Sequence, residues 1–432
     1  MPRAANRRLA PLLAVALAAV AVGLAALLPS SSPAPPPLPA TGPTVWVDHD
    51  GGTCQRTTGP YRDATACSTL DTAYEAARPD DRVLIRGGTY PSQRIGVDPT
   101  KVGDARRVVL EPAPGDVVRI AGDLTVAGSH LVVSGGGGRS RLHLRYAISE
   151  ATDPAQSSSR DVTFENLDGA GFVIGPTERI TVRGGDWGPN VLRCGDAAGQ
   201  ESKITPLDTF PGRLPRDIVL DGLRIHDQNS ADLSCQHTGG LSVVSADGLT
   251  IRNTRWSQSA VYDLAVGDFT GRYGNPRDVL LENNWFGAAV LQDGRTPDGQ
   301  PELQLAEPGV YERWTVRFNS FVVGPALNFD GGATFSGGQV VANIGGRSGC
   351  GAARDGVTWA ANLWRAERCT GADRLVRSLP YEATRVGAED LHLRDRRPAS
   401  VHLPAGAGRP GRDIDGDARP ARGPVDAGAD QR

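Results

Sequence analysis

The sequence predicts an all-β chain wound as a parallel β-helix, a solenoid of stacked turns, and three observations carry that expectation. A six-residue corner pattern recurs along the chain. Two cysteines fall at the same offset in consecutive copies of it. Gly and Pro fill about a fifth of the chain (54 Gly and 32 Pro in 432 residues), above the usual ~12%. That excess speaks against a helical bundle, because both residues break helices. With 39% hydrophobic residues spread evenly, the chain is not disordered either.

Arg3, Arg7 and Arg8 precede an apolar run over 9–28, interrupted by Pro11. Positive residues before an apolar stretch are an export pattern. The run also approaches the length of a membrane span, so residues 1–28 read as a signal peptide or a membrane anchor. Residues 29–44 (PSSSPAPPPLPATGPT) read as an extended linker. Both readings place the rest of the chain outside the cytoplasm, as a secreted or membrane-anchored protein. Net charge is −3, which gives no basic face for nucleic acid.

The repeat is apolar, two variable residues, a small polar residue or Gly, one variable residue, then usually a large apolar residue. Clear copies lie at 182–187 (VRGGDW), 251–256 (IRNTRW), 281–286 (LENNWF), 316–321 (VRFNSF) and 359–364 (WAANLW), with weaker ones starting at Phe164, Leu220 and Val340. The shortest steps, 18, 19 and 24 residues, suit one turn of a three-sided coil, and longer steps imply inserted loops. Asn253, Asn283, Asn284, Asn319, Asn343 and Asn362 fall at the corner. Asn tolerates left-handed backbone and bonds its neighbours, so stacked copies should form a ladder. The alternative, a sandwich with turns every 8–12 residues, would not repeat one corner.

The six cysteines have no Cys-x-x-Cys spacing, and an even count in an exported chain favours disulfides. Cys350 and Cys369 each lie ten residues after a repeat start. Stacked strands ~4.8 Å apart suit a bridge between them. Cys194 and Cys235, in loops of consecutive turns, make the next pair, leaving Cys54 and Cys67 to staple the entry.

Residues 68–90 carry a family resemblance. Ser68 as N-cap, with Asp71, opens an Ala-rich helix through Ala77. Then follows Asp80-Asp81-Arg82-Val83-Leu84-Ile85-Arg86-Gly87-Gly88-Thr89-Tyr90. This resembles the entry to secreted right-handed parallel β-helix proteins of the pectate-lyase-like superfamily, with Asp80 in place of the usual Gly. There a short helix plugs the first turn. The tail Asp413-Ile414-Asp415-Gly416-Asp417, followed by Val425-Asp426-Ala427-Gly428-Ala429, is similar to the terminal motif of bacterial β-helix proteins. The resemblance spans 45–429, dividing the exported chain into a coil over 45–405 and a tail over 406–432. Val45-Trp46-Val47-Asp48-His49 spells a pectate-lyase string but sits where the first strand belongs. The aspartates at 413, 415 and 417 lack the Gly and Glu positions of a calcium loop and read as a solvated turn. Catalytic motifs of polygalacturonases and classical pectate lyases are absent.

The resemblance implies an acidic polysaccharide as partner, lying along an exposed parallel sheet between long loops. The insertions at 188–217, 226–239, 267–277 and 292–313 mark that groove. His226, Asp227 and His237 lie in the second of them. Strand alternation turns Asp263 outward, with Ser242, Gln292, Asn328 and Asp330 on neighbouring turns. His237, Asp263, His226, Asp227 and Asp330 are the catalytic candidates, and Ser242, Gln292 and Asn328 the substrate-binding ones. A uronic-acid lyase must neutralise a carboxylate and remove an α-proton, work for Arg, His or Ca²⁺ held by Asp. A hydrolase needs two carboxylates ~5–9.5 Å apart, which Asp263 and Asp330 would supply. His226 and His237, near Asp227 and Asp232, suit an acid/base pair or a weak metal site, and Ca²⁺ is the one cofactor considered. Trp187, Trp256, Trp285, Trp359 and Trp364 are candidate sugar platforms, although those at repeat positions read rather as core. The competing expectation is a non-catalytic β-helix that binds cell-wall or extracellular carbohydrate. No trimerisation segment is visible, so a monomer is expected.

Overall fold

A computed structural model describes residues 44–431 apart from 104, 151–158, 193–201, 231–238, 289–301, 306, 328–331, 351–355 and 386. Asp232, His237, Gln292, Asn328, Asp330, Cys194 and Cys235 therefore lie outside the described residues.

The chain forms a right-handed parallel β-helix with three strips of strand per turn. The first sheet has twelve strands, from Thr44–Val47 to Thr358–Ala360, each parallel to its neighbour. The second begins at Gly88–Tyr90 and Val117–Ile120 and runs through Asp186–Trp187, Arg224–His226, Arg255–Ser257 and Trp285–Phe286 to Arg374–Leu375. The third begins at Gln93–Ile95 and passes through Ser202–Ile204, Leu241–Val243 and Leu264–Val266 to Leu303–Leu305. Two long strands, Arg141–Ser149 and Asp168–Ile174, bend between the second and third sheets and pair in both.

The repeat starts stand in one register column. Phe164, Val182, Leu220, Ile251, Leu281, Val316, Val340 and Trp359 pair in succession. The column continues upstream through Val133, Leu110, Val83 and Val45, where the six-residue pattern is lost. Five positions after the starts, large side chains fill the lumen. Trp256, Phe286 and Phe321 stack at 4.6 and 4.7 Å, and Trp187 and Trp364 are fully buried.

The corner ladder forms from Asn284, Asn319, Asn343 and Asn362. Each Oδ1 of the last three accepts the backbone N–H and the side-chain Nδ2–H of the Asn one turn earlier, at 2.9–3.0 Å. Each Nδ2 also donates to a repeat-start carbonyl, for example Asn319 to Leu281. Asp373 ends the ladder by accepting from Asn362 Nδ2 at 2.8 Å. Asn253 and Asn283 occupy the preceding position instead, with φ of 53° and 55°, a region Asn tolerates.

The entry helix spans Leu70–Ala76, and Thr69 rather than Ser68 is its N-cap, its Oγ1 accepting Thr72 N–H. Ser68 is one residue too early to reach that amide. Cys54 bridges Cys67, and Cys350 bridges Cys369 across consecutive turns. Two disulfides fit an oxidising compartment. Among the described residues no helix is long and apolar enough to cross a membrane.

Parallel pairing of the coil ends at Leu363–Trp364 with Arg374–Leu375. The remainder, which the sequence divides at 405/406, folds back as one layer. Tyr381–Ala383 pairs antiparallel with Asp390–Leu393, and Ser400–Val401 with Val425–Asp426. Leu391, Leu393, Val425 and Ala427 of this layer share an apolar cluster with Val341, Ala342, Ile344 and Leu363 of the coil. Arg419 pins it: the buried guanidinium donates to the carbonyls of Asp426, Gly428 and Ala429 and to Asn283 Oδ1, and lies over the Phe318 ring. Residues 413–417 form a turn whose Asp415 and Asp417 are exposed, as the sequence suggests, while Asp413, only 2% exposed, is packed into the layer.

Candidate functional site

The fifth repeat position, just before the inward apolar residue, faces out of the second sheet. It forms a row of paired neighbours: His143, Asp168, Asp186, Arg224, Arg255, Trp285, Ser320 and Ile344. This row differs from its counterpart on the first sheet. There Glu165, Arg183, Asp221, Arg252, Glu282 and Arg317 alternate in sign. Ion pairs close between them, such as Arg252 to Asp221 at 2.9 Å and Arg317 Nε to Glu282 at 2.6 Å. On the second sheet Asp168 opposes Asp186, and Arg224 opposes Arg255. Like charges directly opposite are unfavourable in a sheet, so this row, although Asp186 also opposes Arg224, lacks the unbroken alternation of the first sheet.

His226 lies at the centre of this row, two residues beyond Arg224 and on the same face. Its Nδ1 is 2.6 Å from Asp227 Oδ2, and its Nε2 is 3.1 Å from Asp186 Oδ1. Arg224 also contacts Asp186, at 3.2 Å. The bond to Asp186 does most to raise the imidazole pKa, burial opposes it, and Asp227 adds to the rise. The same contacts hold Asp186 below the usual carboxylate range. His226 is therefore biased toward imidazolium, an acid rather than a base.

The local backbone explains this placement. Asp227 has φ 50°, turning the chain directly after His226. Gln228, fully buried, then donates from Nε2 to the Ala170 and Trp187 carbonyls, stitching three turns together. Gly188 lies against His226 on the preceding turn. A Cβ there would sit 2.0 Å from the His226 carbonyl oxygen, and its φ is 154°, so only Gly allows the approach.

Asp263 is in a different setting from the exposed strip that alternation predicts. It is 1% exposed, and among the described residues neither carboxylate oxygen has a hydrogen-bond partner. Burial holds its carboxyl well above the usual range, Ser259 nearby opposes this, and the charges of Glu302 and Glu389 reinforce it. Glu302 is its neighbour on the next turn, where its carbonyl accepts the N–H of both Asp263 and Leu264. Burial pushes the Glu302 carboxyl up to about 8, against N–H bonds from Gly324 at 2.6 Å and Val323 at 2.5 Å. Ser242 is likewise buried, at 4% exposure. Alternation foretold direction but not the cover above it.

Trp285 is the one repeat-region Trp on the outer face. Arg255 lies over its ring at 4.8 Å, and the His392 ring meets it edge-on at 4.8 Å. A cavity of about 170 Å³ opens here, lined by Arg224, Arg255, Ser257, Trp285, Glu389 and Leu391 among others. Arg224, Arg255, Asp186 and Glu389 were not singled out in the sequence. The fifth position of the repeat is the signal that finds the first three.

Two carboxylate triads, Asp48/Asp50/Asp63 and Asp413/Asp415/Asp430, each bring ligand oxygens within 4.8 Å. Both are already wired into the protein: Asp48 accepts from Gly51 N–H and Tyr61, and Asp413 accepts from the N–H groups of Asp415, Asp417 and Gln431.

No protein-family model matches the chain, and no curated protein matches it significantly. Among solved structures it is similar to the PL6 family alginate lyase AlyGC, at 13% identity and a TM-score of 0.31 over 71% of this chain and 52% of that one. A mutant of the same enzyme gives 12% identity and a TM-score of 0.34, over 76% and 55%. The chain spans about half the length of these structures. The fold rests on the strand pairing above, and no residue role follows from this likeness.

Proposed function

We propose that this chain is an extracytoplasmic carbohydrate-active β-helix protein that binds an acidic polysaccharide along the outer row of its second sheet and cleaves or modifies it there. The observation that carries the reading is the adjacency of Arg224 and Arg255, two guanidinium groups on consecutive turns beside the Trp285 ring. Paired guanidinium groups suit a ligand carboxylate, and an aromatic face suits the apolar side of a sugar ring. His226, two residues beyond Arg224 on the same face, is the proton donor of choice for a leaving-group oxygen. Asp227, half-exposed beside it, is the carboxylate available to accept a proton. His237, Asp330, Gln292 and Asn328 remain proposed contributors from the flanking loops. Asp263 and Glu302 would act as protonated carboxyls behind the site, and Ca²⁺ remains a candidate for neutralising the substrate carboxylate.

A second reading, carbohydrate binding without turnover, is favoured by one observation. Both imidazole nitrogens of His226 already face carboxylates, and Asp186 is also held by Arg224, so the charges of this cluster are balanced without a substrate. A panel of acidic glycans, with and without Ca²⁺, separates the two. Unsaturated products or new reducing ends, reduced at least ~100-fold in His226→Gln, are expected for the enzyme. Binding that weakens in Arg224→Ala, with no product from any glycan, would leave only the second reading.

A further inference from the structure

The outward row of the second sheet ends against a wall. Trp285 is half-buried, and the next two residues of the row, Ser320 and Ile344, are fully buried. The C-terminal layer covers them. Ala429 N–H donates to Ser320 Oγ at 2.9 Å, and the Tyr381 hydroxyl donates to the Ile344 carbonyl at 3.0 Å. Closer to the open surface, Asp415 pairs with Arg255, and His392 Nε2 lies 3.0 Å from the other Asp415 oxygen. Glu389 Oε1 accepts Ala288 N–H at 3.3 Å. The cavity beside Trp285 lies at the foot of this wall, with Glu389 and Leu391 of the layer forming part of its lining.

We propose that this cavity seats the terminal residue of an acidic polysaccharide, so that the protein recognises chain ends rather than chain interiors. The proposal rests on the reading of the second sheet as a glycan surface. A chain lying along the row from Asp168 toward Trp285 meets residues 389–392 and has no continuation beneath them. The cavity, at about 170 Å³, is smaller than the ~300–1,000 Å³ of pockets that enclose drug-sized ligands, which suits one sugar unit rather than several. Its charge suits an acid. Arg224 uses Nη1 on Asp186, and Arg255 uses Nη2 on Asp415. A guanidinium carries five N–H donors, so both retain donors for a ligand carboxylate. The wall also supplies a carboxyl that burial biases toward its protonated form, Glu389, able to donate to a sugar oxygen. Specificity for the end thus falls to Glu389 and Leu391, residues of the layer and not of the coil.

The test is calorimetric titration of the full chain with one acidic homopolysaccharide and with its size-graded oligomers. One binding event per chain is expected, with a Kd constant when expressed in chain ends, so that a tenfold longer chain binds about tenfold more weakly per sugar unit. Glu389→Trp, at a partly buried lining position outside the apolar cluster, narrows the cavity from the wall side and should weaken oligomer binding by at least about tenfold while the thermal unfolding midpoint is kept. Stoichiometry and affinity that follow sugar units, with Glu389→Trp binding as the parent does, would overturn the chain-end proposal and leave the glycan surface standing. Absence of binding to any acidic glycan would overturn both.

Discussion

The two halves of one row set out the logic of this molecule. On the second sheet, the turns that carry Asp168, Asp186, Arg224 and Arg255 face solvent, whereas those that carry Ser320, Ile344 and Leu363 lie under the C-terminal layer. Backbone, register and inward residues are the same in kind in both halves. The fourth repeat position differs, with Leu, Gly or Thr in the open half and the ladder Asn from Asn284 onward, and so does the fifth, charged where the face is open and small or apolar where it is covered. The difference teaches that this coil specifies its exterior independently of its interior. Inward side chains maintain the stack, and outward ones decide what each stretch of surface meets.

The comparison can be broken most severely by exchanging the two kinds of residue. Ile344→Asp places an unpaired carboxylate under the layer and should cost about 3 kcal/mol or more. Asp186→Ala in the open half should cost less than about 1 kcal/mol. Urea unfolding of the two variants decides, and similar losses would mean that the halves are not distinct.

Next comes the acidity behind the row. Glu302 titrates near 8 when folded, and Asp263 well above its ordinary value. The folded state therefore binds protons that the unfolded chain has released. Their contribution is full below about pH 4 and declines as pH rises, with the loss from Glu302 running steadily between its unfolded value and about pH 8 and levelling off above it. Glu302→Gln should flatten stability between pH 5 and pH 8, read from unfolding midpoints at several pH values. An unchanged slope would show that the carboxyl is ionised throughout.

A smaller effect tests the boundary between the halves. The His392 pKa is raised to about 9, chiefly by Asp415 and further by Asp390, with burial in opposition. A His with a raised folded pKa stabilises fully below its unfolded value, and that gain is lost as pH rises through the folded one. Docking of the layer at Trp285 should loosen with a midpoint near pH 9, followed by Trp fluorescence. His392→Gln should abolish that transition while sparing the rest of the coil. The smallest effect belongs to the first sheet. Arg313 and Asp278 pair at 2.6 Å but are both about half exposed, so Arg313→Ala should change stability by less than about 1 kcal/mol.

Much of this was legible in the sequence because a coil repeats its contacts at short range. The eight repeat starts, the Asn corner and the Cys350–Cys369 bridge each depend on neighbours one turn away, and the spacing records such neighbours. The first four turns escaped because Asp50, Gly88, Gly115 and Gly138 stand five positions after Val45, Val83, Leu110 and Val133, where the pattern needs a large apolar residue. The burial of Asp263 escaped for a different reason. Glu302 approaches it after a long loop, and Glu389 from the returning layer, so no local pattern announces either. Arg224 and Arg255 stood in the position read as variable. A site column in a solenoid looks like noise along the chain, because its order appears only when the turns are stacked.

The clasp made by Arg419 also limits how the molecule can change in size. Its guanidinium joins Asn283 to the carbonyls of Gly428 and Ala429, while Gly428 N–H reaches Ala342 and Ala429 N–H reaches Ser320. Three successive corners are thus measured against one short stretch of tail. Duplicating a turn near residue 131 would lengthen the coil and leave that measurement untouched. Duplicating one between Asn283 and Ala342 would displace an anchor by ~4.8 Å and put the tail out of step. The C-terminal layer therefore acts as a ruler, and growth by duplication is open to the entry half of the coil and closed to the exit half.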